Sequence, residues 1–260
     1  MGPIILLSAI VGCVLTERTL RYRFRDAPFF RDYFTSDITY LLVAVGLGFW
    51  MGLTYITPLT EWIESQAQIP RLAQFDLPAW VLIPIGVVLV DLGNWLAHYW
   101  MHRSDMLWEM HKVHHSSRVV DWLATFRSHI GEQILRNVLG PAILIVIGFP
   151  LDVTLLSTGV YAAFAVFQHS NTRLNLRAIE PLLITPRLHR MHHVPGGTCQ
   201  KNFGTVLTLW DRIAGTFEPA GPESEVFGVP GEVETYPQRW LPQMVEPLRR
   251  LITRFGVQHD

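Results

Sequence analysis

The chain has 260 residues, 49% of them hydrophobic and 17% charged, with a mean hydropathy of +0.23. Soluble domains carry nearer a quarter charged residues, so the composition points to a membrane protein. A formal net charge of −1 gives no electrostatic footprint for nucleic acid, and two cysteines make neither a disulfide framework nor a metal pair.

Apolar runs fall at 3–16, 38–57, 79–101, 134–149 and 151–168. The second and third are long enough to cross a hydrocarbon core of about 30 Å. The first, from Pro3 to Thr16, is short and predicts a thinned crossing or a half-inserted helix. It carries Cys13, expected as an inert buried thiol. It lacks the basic leader and small-residue cleavage site of a secretory signal, so it is expected to remain in the mature protein. The last two runs flank Phe149-Pro150-Leu151-Asp152, which reads as the tip of a helical hairpin at or within the bilayer.

Arginines orient these spans. Segment 17–37 carries Arg18, Arg21, Arg23, Arg25 and Arg31, whereas 58–78 carries only Arg71. The positive-inside rule then places 17–37 in the cytoplasm. Counting through one span and one hairpin puts 102–133 and everything after 168 on that same side. Residues 218–225 read as a linker. The stretch 240–255 reads as an amphipathic helix, either lying at the membrane interface or packed as a tail on the cytosolic part.

Three histidine clusters dominate the sequence: His98 with His102; His111, His114 and His115; and His189, His192 and His193. Spacings of three and four residues place imidazoles on one helical face, and neutral imidazole is the commonest protein metal ligand. Eight clustered histidines, with a lone His169 at the end of the fifth run, exceed what one ion needs. The economical reading is a two-metal site built from histidine, all of it at one membrane face. Asp91 lies seven residues before His98 in an apolar run, where a carboxylate needs a partner. It is expected to accept from a ligand histidine and so orient it, the alternative being a packing aspartate paired with an arginine. His129, in Arg127-Ser-His-Ile-Gly-Glu132, is a candidate ligand or supporting residue. His259, beside the C-terminal residue, plays no part.

The runs Asp91-Leu-Gly-Asn-Trp-Leu-Ala-His98-Tyr-Trp-Met-His102, His111-Lys-Val-His-His-Ser-Ser117, Phe167-Gln-His-Ser-Asn171, Thr185-Pro-Arg-Leu-His-Arg-Met-His-His193 and Leu209-Trp-Asp-Arg212 come in this order. Together they resemble the fatty acid hydroxylase/sterol desaturase superfamily over about 80–217. The resemblance implies an all-α, multi-pass transmembrane bundle of four to five segments with a cytosolic histidine-rich helical cap. It divides the chain into N-terminal membrane helices (1–78), a catalytic core (79–217) and a C-terminal linker and tail (218–260). It further implies a di-iron centre that uses O2 to hydroxylate or desaturate a lipid C–H bond. Its ligands would be His98, His102, His111, His114, His115, His169, His189, His192 and His193, with Asp91, His129 and Asn171 supporting them. Many members have a proline directly after the histidine corresponding to His129, where this chain has Ile130. No catalytic residue beyond the metal centre is singled out.

Electrons would come from a separate reductase with a ferredoxin or cytochrome. Val194-Pro-Gly-Gly197 is a turn rather than a haem-binding signature, and Gly46-Leu-Gly48 suits helix packing better than a dinucleotide fold. Trp210, Asp211 and Arg212 are expected to cap the cytosolic fold, with Gly215 in a tight turn. Two other readings compete. A zinc-dependent membrane hydrolase would carry His-Glu-x-x-His, which this sequence lacks. A metal transporter would spread its ligands near the bilayer midplane instead of gathering them at one face.

Overall fold

A computed structural model describes residues 2–19, 23–66 and 77–255; Arg21, Arg71 and His259 lie outside them. The described residues are helical, and their extended pairings are the isolated bridges Arg23–Thr172 and Leu183–Leu207. The helices are α1 (Gly2–Arg18), α2 (Phe34–Met51), α3 (Thr57–Ser65), α4 (Ala79–Met101), α5 (Asp105–His115), α6 (Ile130–Ile147), α7 (Leu151–Gln168), α8 (Pro186–His192), α9 (Leu209–Ala214) and α10 (Trp240–Phe255). A π turn at Gly52–Ile56 joins α2 and α3 into one rod, Phe34–Ser65. Pro58 follows this turn and would crowd the carbonyl four residues back in regular α geometry, so a wider turn relieves it.

Among the described residues, four helices are long and apolar enough to cross a membrane: the Phe34–Ser65 rod, α4, α6 and α7. At 1.5 Å per residue, α4 spans about 35 Å and α6 and α7 about 27 Å each. α6 begins at Ile130, four residues before the apolar run read from sequence, because His129 caps it by accepting from Gly131 N–H. Large apolar side chains cover the outside of these helices. Leu42, Phe49, Trp50, Trp80 and Val146 are each more than half exposed, as lipid-facing surface requires.

Close backbone approach sets the bundle. α4 packs between α6 and α7, and a Cβ at Gly93 would sit 2.3 Å from Leu139 O. α1 lies along α7, where a Cβ at Gly159 would come within 2.7 Å of Gly2 Cα. Gly148, at φ 79°, caps α6, and Pro150 opens α7, so the hairpin tip falls where the sequence placed it. The antiparallel order returns the C-terminal ends of α4 and α7 and the start of α6 to one end of the bundle. Buried ion pairs fasten that end: Asp37 on α2 takes Arg31 and Arg127 at 2.9 Å each, and Arg31 also meets Asp121.

The segment after Phe217 packs instead of hanging free. Phe227 and Val229 are buried, and Arg25 donates to Glu225 O at 2.8 Å. α10 rests on α2 and α5 through Met244 and through Gln243, which accepts from Tyr40 Oη at 2.6 Å. Its opposite face exposes Leu241, Val245, Leu248 and Ile252.

Candidate metal centre

The bundle end gathers nine buried histidines into two groups. His98 from the last turn of α4 and His102 that caps it, His111 and His115 from α5 and His192 from α8 form the first. His114 from α5, His169 capping α7, and His189 and His193 from α8 form the second. Within each group the potential ligand nitrogens lie within 4.8 Å of one another. The groups adjoin, with the rings of His115 and His193 4.7 Å apart. Three spacings of four residues, 98/102, 111/115 and 189/193, each stay within one group, because one helical turn stacks those rings.

Backbone carbonyls fix the tautomers. His98 Nδ1 donates to Phe203 O (2.7 Å), His192 Nδ1 to Lys201 O (2.8 Å), His114 Nδ1 to Arg127 O (3.0 Å) and His169 Nδ1 to Ala165 O (2.7 Å). A carbonyl can only accept, so each of these rings carries its proton on Nδ1 and presents a lone pair at Nε2. His98 Nε2 and His192 Nε2 are then buried with no hydrogen-bond partner, and so are both ring nitrogens of His111. In the second group, His169 Nε2 sits 3.1 Å from His114 Nε2 and 2.8 Å from His189 Nε2. The His169–His114 contact brings two lone pairs face to face. Protonating one ring would relieve it, but burial opposes that charge. His102, His114, His115, His189 and His193 are held well below the usual imidazole range, His169 at about 4 and His192 at about 3, desolvation being the largest cause in each. A cation between the lone pairs resolves the conflict. Adjacent nitrogens bound at about 2.1 Å to one ion lie roughly 3.0–3.4 Å apart, close to the 2.8–3.3 Å seen here. Both groups therefore fit metal ions.

Glu132, on the first turn of α6, was not singled out in sequence. Its Oε1 lies 3.0 Å from His111 Nδ1 and accepts from Arg136 Nε at 3.0 Å. The signal was present: a carboxylate and an arginine one turn apart at the head of an apolar helix need buried partners.

The three expected supporting residues sit elsewhere. Among the described residues Asp91 touches no histidine and no arginine, in keeping with neither reading of it. Its oxygens accept from Thr205 N, Val206 N, Leu207 N and Trp210 Nε1 at 3.0–3.3 Å. A carboxylate facing a turn of three backbone N–H groups is saturated by them, so Asp91 fixes that turn and has no direct contact with His98. His129 belongs to neither group; its Nε2 donates to Met244 O at 3.1 Å, tying α10 to α6. Asn171 clamps Arg25, accepting from its N–H at 3.0 Å and donating to its carbonyl at 2.8 Å. Asp211 serves the expected packing role. It accepts from Phe203 N, Gly204 N and Trp95 Nε1, while Gly215 closes α9 at φ 70°.

A cavity of about 740 Å³ runs from the histidines into the membrane part of the bundle. His98, His114, His169 and His189 line one end; Leu6, Val45, Phe49, Leu53 and Leu155 line the other. A separate depression beside Ser36 and Trp240 holds no histidine.

Fold and site define a multi-pass helical membrane protein whose bundle ends in two adjoining histidine groups fit for metal, opening onto an apolar cavity. The chain belongs to the fatty acid hydroxylase family, whose model matches residues 83–216, more than half of its length. It is 28% identical to ornithine lipid hydroxylase OlsE of Rhizobium tropici, over 95% of this chain and 75% of that protein. It is 28% identical to alkylglycerol monooxygenase of Danio rerio, over 87% of this chain and half of that protein. Delta(7)-sterol 5(6)-desaturase of Eremothecium gossypii is 27% identical over 54% of this chain and 38% of that protein. No solved structure matches.

Proposed function

We propose that the protein is a membrane-bound di-iron oxidoreductase that uses O2 to hydroxylate or desaturate a lipid C–H bond, in lipid biosynthesis or modification. His98, His102, His111, His115 and His192 would hold one iron, and His114, His169, His189 and His193 the other. The observation that carries this reading is the meeting of two all-imidazole groups with one end of a membrane-embedded apolar cavity. Membership of an iron-dependent family and the lipid-oxidising names of the relatives support it.

Iron held by these groups would supply the O2 activation and electron storage that cleaving an unactivated C–H bond demands. The chain supplies position. Carbonyl partners hold four of the rings in the tautomer that offers Nε2, and Glu132 polarises His111 through Nδ1. The apolar outer cavity binds the lipid body and keeps bulk water from the reacting end. Arg18, Arg23, Arg25 and Arg31 precede α2, whose first turn is fastened to the histidine end, and by the positive-inside rule this supports a cytoplasmic position for that end. An external reductase with a ferredoxin or cytochrome would deliver electrons there.

The test pairs iron analysis of purified protein with lipid profiling of cells that have or lack the gene. About two irons per chain and an O2-dependent lipid product are expected. One iron or none, with no such product, would refute the proposal.

A further inference from the structure

We infer that residues 179–184 and 205–213 form a re-entrant hairpin whose outer face lies among the acyl chains of the leaflet on the histidine side. The protein then meets the bilayer through this largely non-helical element as well as through its spans. The inference needs only that the spans cross a membrane, and it stands apart from the reaction proposed above.

The two stretches pair with each other. Ile184 N donates to Val206 O at 2.9 Å, Thr208 N to Leu182 O at 3.0 Å and Thr208 Oγ1 to Pro181 O at 2.8 Å. The pair is fastened well down the bundle. Thr205 N, Val206 N, Leu207 N and Trp210 Nε1 all donate to Asp91 on α4, and the hydroxyls of Thr205 and Tyr161 on α7 lie 2.9 Å apart. Asp91 is seven residues before His98 and Tyr161 eight before His169, which is about 10–12 Å along the helices. Val206 packs deeper still, in one buried cluster with Leu82, Phe149 and Val153. Leu96 and Trp100 are exposed on α4 between Asp91 and the helix end, so the lipid-facing surface of the span continues past the hairpin.

The outer face suits that depth. Leu182 and Ile213 are 70% and 72% exposed, with Ile179 and Leu209 beside them in sequence. The acidic side chains between 173 and 213 are both engaged, Glu180 with Arg187 at 3.3 Å and Asp211 with backbone N–H groups. Exposed Arg177 and Arg212 flank the apolar residues, and their long side chains can reach up to anionic headgroups. Non-helical backbone is tolerated at membrane depth only where its polar groups find partners. Asp91 supplies three of them, which gives a carboxylate a reason to stand in an apolar span. Thr205 and Tyr161 also line the cavity, so the hairpin walls it off from lipid on this side.

The test places a fluorophore, nitrobenzoxadiazole, on single cysteines in the full chain in phosphatidylcholine vesicles. Cys13 and Cys199 are buried, so an introduced surface thiol is labelled selectively. Leu182→Cys and Ile213→Cys are compared with Val146→Cys on the lipid face of α6 and with Glu234→Cys on the exposed cap. Phosphatidylcholine brominated on its acyl chains should remove fluorescence at 182 and 213 to the extent seen at 146, and aqueous iodide should remove it only at 234. Iodide quenching at 182 or 213 equal to that at 234 would overturn the inference, as would acyl-bromine quenching no stronger than at 234. Leu209→Cys replaces either variant that fails to fold. Turnover is not read, so failure here leaves the oxidoreductase reading intact, and loss of that reading leaves the hairpin in the bilayer.

Discussion

Replacing Asp91 by asparagine tests whether the turn at 205–207 holds the first histidine group in place. Each carboxylate oxygen of Asp91 takes two donors: Oδ1 from Thr205 N and Val206 N, Oδ2 from Leu207 N and Trp210 Nε1. Asparagine keeps one oxygen and turns an amide NH2 toward the other two donors. Two hydrogen bonds to a charged acceptor disappear, at roughly 1.5–3 kcal/mol each. Relief from burying a carboxylate returns part of that, leaving a net loss of about 2–4 kcal/mol. For a chain of this size the melting temperature should fall by roughly 6–12 °C. The loosened turn begins two residues after Phe203, whose N–H Asp211 holds and whose carbonyl takes the His98 Nδ1 proton, so any loss of metal should come first from the group containing His98. Thermal unfolding in detergent and metal content per chain read the two effects. A melting temperature and metal content matching the parent protein would show that the four contacts contribute nothing, and the reasoning would fail.

His192→Ala and His193→Ala remove one nitrogen from different groups, so each should abolish turnover and release close to one ion per chain while membrane insertion is retained; full occupancy in either variant would contradict the grouping. In the metal-free protein, histidine pKa values depressed below about 6.5 mean that the unfolded chain binds more protons than the folded one. Stability is then complete above that pH and falls progressively toward the folded values of about 4 for His169 and about 3 for His192. Chelated protein should lose melting temperature from pH 6.5 downward, and a flat profile between pH 7 and pH 4 would disprove the neutral-ring assignment. Gly93→Ala would press a methyl against Leu139 O at 2.3 Å, so α4 and α6 must separate, at about 1–3 kcal/mol. Denaturant titration measures this loss, and an unchanged midpoint would mean that the helices are not packed so closely.

Periodicity in the sequence identified the histidine-bearing helices, the hairpin at Pro150 and the histidine pairs that stay together, because each is a local property. A spacing of four residues stacks two side chains on one helical face whatever surrounds the helix. That is why 98/102, 111/115 and 189/193 survive as pairs. Local spacing says nothing about the third histidine in a cluster. His114 leaves its α5 neighbours for the α8 pair, and His192 leaves its α8 neighbours for the α4 and α5 pairs. Only the way α5 and α8 bring their rings together decides that exchange. The same limit hid Glu132 beside His111 and drew Asp91 toward a histidine it does not touch, since partners 21 and 114 residues away are chosen by packing. The sequence determined which side chains could bind metal and at which end of the spans they fall. The tertiary structure divided them into two groups, because that division depends on distances between helices that no single helix encodes.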